Sequence, residues 1–86
     1  MPRVILTGSI REQDGGDGAV DVDGDTVRAA VAALEAAYPG LRGWVVDERG
    51  ALRRHVKLFL GAEAASLDTA LGPDAELHIV AAISGG

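Results

Sequence analysis

The sequence contains no cysteine. That excludes disulfides, thiolate metal sites and cysteine nucleophilic catalysis. A fold that needs no oxidising compartment fits a cytoplasmic setting. Long hydrophobic runs are also missing. No stretch approaches the ~20 apolar residues of a membrane span, and Met1-Pro2-Arg3-Val4 opens without the apolar core of a signal peptide. Positive charge is scarce, with a formal net charge of −5. A chain of that sign is poorly suited to displacing counterions from nucleic acid, so neither nucleic acid nor membrane is an expected partner. The one basic cluster, Arg53-Arg54-His55-Val56-Lys57, reads as a solvated strand face, its other use being to dock an acidic partner. Lysine itself is reduced to Lys57, against seven arginines. An Ala-, Gly- and Arg-rich composition accounts for that bias.

What is present is enough for one domain of 86 residues with one core and a net stability of ~5–10 kcal/mol. It leaves no room for a deep cleft lined by a full catalytic constellation. Any chemistry the chain joins must draw much of its machinery from partners.

The pattern along the chain is legible. Arg3-Val4-Ile5-Leu6-Thr7 is an apolar run rich in β-formers and predicts a first strand. Gln13-Asp14-Gly15-Gly16-Asp17-Gly18 is a loop. Ala19-Val20-Asp21-Val22-Asp23 alternates with period two and predicts a half-buried strand, antiparallel to the first. Asp25 or Thr26 can cap a helix in which Val27, Ala30, Val31, Leu34 and Tyr38 share one face. Pro39-Gly40 ends it. Residues 41–46 suggest a short helical turn and Asp47-Glu48-Arg49-Gly50 a tighter one. Leu52 to Leu60 reads as a strand, with Arg54, Val56, Leu58 and Leu60 on one face and His55, Lys57 and Phe59 on the other. Ser66 to Leu71 fits a short strand or a single helical turn. Glu76 to Ile83 is the last strand, with Leu77, Ile79, Ala81 and Ile83 inward and His78, Val80 and Ala82 outward. Strand, strand, helix, strand, short element, strand predicts an α+β fold of two layers: a mixed sheet of four to five strands with one main helix on one face. The first and last strands, short and strongly apolar, belong side by side in the middle.

Two other patterns carry no site. Asp21-Val22-Asp23-Gly24-Asp25 resembles the start of a calcium loop but lacks the required glycine and the closing glutamate. His55 and His78, as possible cross-strand neighbours, supply two ligands where zinc needs more, so no metal is expected.

This order of elements, closed by Ser84-Gly85-Gly86, resembles the β-grasp (ubiquitin-like) fold of ubiquitin-like sulfur carriers. It is similar to the small subunit of molybdopterin synthase and to carriers for cysteine or thiamine synthesis. The segments that carry the likeness are Gly24-Asp25-Thr26-Val27, Leu34-Glu35-Ala36-Ala37-Tyr38-Pro39-Gly40-Leu41, residues 47–56 and residues 76–86. Leu60-Gly61-Ala62-Glu63 stands where relatives usually carry an Asn-Gly turn, and the stretch after the first strand is Gly- and Asp-rich where relatives are often helical and charged. The length, and the long segment between helix and third strand, favour the molybdopterin or cysteine type over the shorter thiamine type.

The resemblance implies a β-grasp domain over 1–83 and a flexible tail over 84–86. It implies that an adenylating activating enzyme, using ATP and Mg²⁺, activates Gly86. A sulfur donor protein then converts Gly86 to a thiocarboxylate, which delivers sulfur to a sulfur-accepting synthase. The chain itself would be no enzyme and would bind no cofactor. Ser84 and Gly85 would thread a narrow channel, where side chains collide and glycine's dihedral freedom is needed. Strand parity puts His55, Lys57, Phe59, His78, Val80 and Ala82 on the open face, with Phe59 and Val80 forming an exposed apolar spot for docking. The same activated tail would serve a ubiquitin-like modifier joined to target lysines, and an inert tail would leave a non-covalent interaction module. A chain with so few amines offers few sites for its own acylation.

Overall fold

The computed structural model of the chain describes residues 1–8 and 18–81. Six regular elements follow in order: β1 (Arg3–Gly8), β2 (Ala19–Asp21), α1 (Val27–Ala37), β3 (Val56–Leu60), β4 (Glu63–Ala64) and β5 (Glu76–Ala81), with a 3₁₀ turn at Pro39–Leu41. The strands form one mixed sheet in the order β2-β1-β5-β3-β4. β1 and β5 run parallel at its centre, and the other neighbours are antiparallel. The central pair is the pair of strongly apolar strands that the sequence places together.

Alternation along the strands decides the two faces. Val4, Leu6, Val56, Leu58, Leu77, Ile79 and Ala81 point inward and are buried. They share a core with Val27, Ala30, Val31 and Leu34 of α1, and Leu41, Val45, Leu67 and Leu71 close its margins. The helix starts where a side chain can stand in for the missing turn. Thr26 is the N-cap, and its Oγ1 accepts from the Ala29 N–H at 3.2 Å. The remaining first-turn donors do not face water. Val27 N–H donates to the Thr69 carbonyl at 3.0 Å, and Arg28 N–H to the Leu67 carbonyl at 2.8 Å. The chain between β4 and β5 thus seals the end of α1, which leaves no free N–H cluster there to hold an anion.

Gly24 makes this junction possible. Its φ is +157°, and a Cβ there would lie 2.7 Å from the Ala30 nitrogen and 3.0 Å from the Ala30 Cα. The connection from β2 lies directly against the helix backbone, so only glycine fits.

Three predicted elements differ. The predicted strand over 52–60 begins at Val56, because Arg54 and His55 form a turn in which the Val56 N–H bonds the Arg53 carbonyl at 3.1 Å. Leu52 instead bridges Val46. Arg54, expected on the inner face, is exposed. The strand expected to reach Asp23 ends at Asp21, although Val22 is still buried. The segment 66–71 is neither strand nor helix. It is a hydroxyl-stabilised turn in which the Ser66 N–H bonds Thr69 Oγ1 at 2.9 Å, followed by an isolated bridge from Ala70 to Thr26.

The fifth strand is β4. A two-residue turn, Gly61-Ala62, leads into it, with Gly61 at φ +63°. Glycine at the first central position is what a type II′ hairpin asks for, so Leu60-Gly61-Ala62-Glu63 performs the reversal that an Asn-Gly pair performs elsewhere.

Candidate functional site

The outward-facing residues form three rows across the sheet, set by strand register. Asp21, Arg3 and Glu76 make the first, with Arg3 Nε 3.3 Å from Asp21 Oδ1. The second crosses all five strands: Ala19, Ile5, His78, Phe59, Ala64. Thr7, Val80 and Lys57 make the third. Among the described residues, α1 packs on the opposite side and leaves this face open.

Phe59, Val80, His78 and Lys57 therefore share one surface, as their parity predicts. Two details differ. Phe59 stands across from His78, and Val80 across from Lys57, so the two apolar side chains are diagonal neighbours roughly 7–8 Å apart. Both are half-buried rather than exposed, because the flanking side chains in their rows screen them. His55 is exposed in the turn that precedes β3. It is not the cross-strand neighbour of His78, which lies opposite Phe59. Ala82, Ser84, Gly85 and Gly86 lie outside the described residues.

The apolar centre is larger than sequence reasoning proposed, because Ile5 joins it from β1, half-buried beside His78. Arg3-Val4-Ile5-Leu6-Thr7 carries that signal as an alternation, hidden by the hydrophobicity of the run. Charge is arranged around the centre. His78 Nε2 lies 3.0 Å from Glu76 Oε1. Lys57 is exposed and has no ion pair among the described residues. β5 ends at Ala81, whose Cα partners are Gly8 and Val56. Ala81, the last described residue, therefore sits next to the row of Thr7, Val80 and Lys57, so the root of the tail adjoins the open face.

On the far side, a groove between α1 and the loop that follows it is lined by Glu35, Arg42, Val46, Asp47, Glu48 and Arg53. Its best-held group is structural. Asp47 Oδ1 accepts from the Arg49 and Ala51 N–H groups at 2.9 and 3.1 Å, and Oδ2 meets the Arg49 guanidinium at 3.3 Å. The Ala51 N–H, with help from Arg49, holds that carboxyl below the usual aspartate range. The Arg53 guanidinium is turned onto the Gly43 carbonyl. Among the described residues no three His, Cys, Asp or Glu side chains gather as a metal site. None of these arrangements joins a nucleophile to a base.

The model of the ThiS family matches residues 4–86. The chain belongs to the ThiS family. Within its reach, small archaeal modifier protein 1 of Haloferax volcanii is 41% identical over 68 residues, covering 78% of each chain. That protein's crystal structure superposes with a TM-score of 0.83 over 99% of this chain and 98% of its own. The sulfur carrier protein CysO of Mycobacterium tuberculosis is 31% identical over 83 residues, covering 90% of this chain and 89% of CysO. A chain of the Amycolatopsis orientalis BexX/CysO complex aligns over the full length of both, with a TM-score of 0.87 at 23% identity, a likeness of fold. The five-stranded mixed sheet with its single helix is accordingly a β-grasp, ubiquitin-like fold. ThiS-family relatives of this chain are small carrier and modifier proteins. No helix among the described residues is long and apolar enough to cross a membrane.

Proposed function

We propose that this ThiS-family chain is a sulfur carrier whose working atom is the carbonyl carbon of Gly86. A free carboxylate is a poor acyl donor, since it is anionic and oxide is a poor leaving group, so the route begins with activation. The Gly86 carboxylate attacks the α-phosphorus of ATP on an activating enzyme that also holds Mg²⁺, and pyrophosphate leaves. Hydrosulfide released by a donor protein then attacks the acyl carbon, the C–O bond to AMP breaks with its electron pair leaving on AMP, the S–H proton passes to water, and Gly86 ends as a thiocarboxylate. Its anionic, polarizable sulfur attacks an electrophile on an accepting synthase, towards molybdopterin, cysteine or a related sulfur-containing metabolite. The partners supply ATP, Mg²⁺ and acid–base groups; the chain is a cosubstrate rather than a catalyst.

The observation that carries this reading is the family match running to Gly86, together with the placement of the last strand. β5 sits between β1 and β3, so the tail is rooted in the most constrained part of the sheet. A domain-sized body can be gripped while three small residues, Ser84, Gly85 and Gly86, enter a channel. Phe59, Val80, His78 and Lys57, with His55 at the margin, form the gripping surface, Ile5 extends it, and Ala82 is assigned to it by strand parity alone. Protein partners suit such a flat, half-buried apolar centre with polar edges. The BexX/CysO complex is a precedent for partner binding in this fold.

The likeness to small archaeal modifier protein 1 favours a second reading, in which the adenylated tail is passed to lysines of other proteins. Mass spectrometry of protein purified from its own cells separates the two. One sulfur in place of one oxygen at Gly86 supports the carrier; Gly-Gly remnants on other proteins support the modifier. Deletion of Gly86 should abolish either activity, and retained sulfur delivery without it would defeat both.

A further inference from the structure

We propose that the groove on the helix side, where α1 meets the loop after it, receives a basic side chain, lysine or arginine, of a second protein partner, with Glu35 as the receiving carboxylate. The proposal is independent of the sulfur-carrier reading, and its failure leaves that reading standing. Glu35 is half-buried on α1, and its Oε2 is buried with no hydrogen-bond partner among the described residues. A carboxylate oxygen withdrawn from water and left without a donor is costly to the fold. A ligand that brings a donor to it recovers that cost on binding.

Two hollows meet at Glu35 and Val46. The smaller, about 120 Å³, is walled by the apolar side chains of Val31, Ala32, Val46 and Leu67, and also touches Gly50 and Arg28. The larger is the polar groove that holds Arg42, Asp47 and Arg53. The cations on these walls do not answer Glu35. The Arg28 guanidinium is committed to Asp68 Oδ1 at 3.1 Å and to the Gly50 carbonyl at 3.2 Å. Arg53 is turned onto the Gly43 carbonyl. Arg42 is exposed and makes no ion pair among the described residues.

An apolar hollow that runs up to an unpaired carboxylate matches an aliphatic stem ending in a cation. A bare metal ion needs several oxygen ligands, and no three His, Cys, Asp or Glu side chains gather among the described residues. A neutral apolar side chain would fill the hollow and leave Oε2 without a donor. The surroundings suit a protein rather than a free amine. Ala29, Ala32, Ala33 and Ala36 share one face of α1, with Ala32 and Ala36 exposed and Ala29 and Ala33 half-buried. That strip carries nothing longer than a methyl group, so a protein surface can lie close to the helix while its basic side chain reaches the hollow. Because α1 packs on the side of the sheet opposite the open face, this partner and one docked on Phe59 and Val80 can hold the chain together.

The test titrates the isotope-labelled full chain with acetyl-Gly-Lys-Gly-amide and with its arginine counterpart, following the amides of Ala32, Val46 and Gly50 by NMR. The norleucine peptide, which keeps the stem without the charge, is the control. At least one basic peptide should shift these amides saturably, with a Kd on the order of millimolar, ordinary for so small a contact, and at least tenfold more tightly than norleucine. Glu35→Gln should weaken that binding at least tenfold and leave the urea midpoint equal to or above that of wild type, because an unpaired charge is removed. Binding should persist within twofold when the activating enzyme is docked, and its loss there would overturn the claim of a second partner. The proposal is also overturned by the absence of a saturable shift, or by norleucine binding as tightly as the basic peptides. It fails equally if Glu35→Gln and Arg42→Ala lower the urea midpoint alike, since Arg42 would then hold the oxygen from within. n-Butylammonium binding tenfold more tightly than both basic peptides would make this a site for a free amine and overturn the assignment to a protein.

Discussion

Phe59→Asp separates a docking residue from a core residue. Phe59 faces away from α1 and is half-buried in the row Ala19, Ile5, His78, Phe59, Ala64. A fully buried aromatic side chain hides 150–250 Å², so losing partial burial costs about 1–2 kcal/mol at 25 cal/mol per Å². Aspartate in a strand adds roughly 1 kcal/mol. The new carboxylate would stand across from His78 and two positions from Lys57 on the same face, which returns a few tenths of a kcal/mol. The net loss of about 2 kcal/mol leaves a domain of this size folded at 25 °C and lowers its melting temperature by roughly 10 °C. Docking suffers more. Replacing an apolar anchor by a carboxylate that must be desolvated costs at least ~2 kcal/mol, or about 30-fold in affinity. Far-UV circular dichroism and the fluorescence of Trp44, the only tryptophan, report the fold. Isothermal titration with the activating enzyme reports binding. If the variant is unfolded at 25 °C, Phe59 belongs to the core and the facing is wrong. If it binds within about threefold of wild type, the partner does not use this face.

Gly24→Ala should be the costlier change for the fold, because the added methyl meets the Ala30 backbone at 2.7 Å and the helix cannot yield as a side-chain tip would. A loss on the order of 2–4 kcal/mol is expected, read as a fall in the urea midpoint at unchanged slope; a shift near zero would mean that the β2–α1 junction is not packed as described. Asp47, whose carboxyl is held low by the Ala51 N–H and then by Arg49, contributes stability that is present above the unfolded aspartate value of about 3.9 and fades as the pH falls through it and below. Asp47→Asn should therefore be less stable than wild type near neutrality, with the gap narrowing in urea titrations at falling pH. A gap independent of pH would show that the charge is not what the loop uses.

Much of this architecture is written in periodicity. The helix is legible from Val27, Ala30, Val31 and Leu34, and the central strands from their apolar runs, because packing only confirms what local pattern already prefers. That Phe59, Lys57, His78 and Val80 share the open face follows from parity alone in β3 and β5. What eluded the sequence depends on contacts distant in the chain. Thr69 and Leu67 are shaped by the donors of α1, which no local propensity announces. The turn at Arg54-His55 is set by bonds that tie Arg53 to Val45 and Gly43, so the β-like run before Val56 bends away. β4 is two residues long, too short for any alternation, and only Gly61 hints at it. Ile5 was concealed because a run apolar on both faces hides which residues face outward.

The position of β5 has a mechanical consequence. It is bonded to β1 along one side and β3 along the other, so tension applied beyond Ala81 runs along the strands. Both ladders are loaded in shear, and their bonds must yield together rather than peel one after another. A strand at the sheet edge, drawn sideways, would unzip. A partner can therefore haul on this chain's end without unravelling the body behind it.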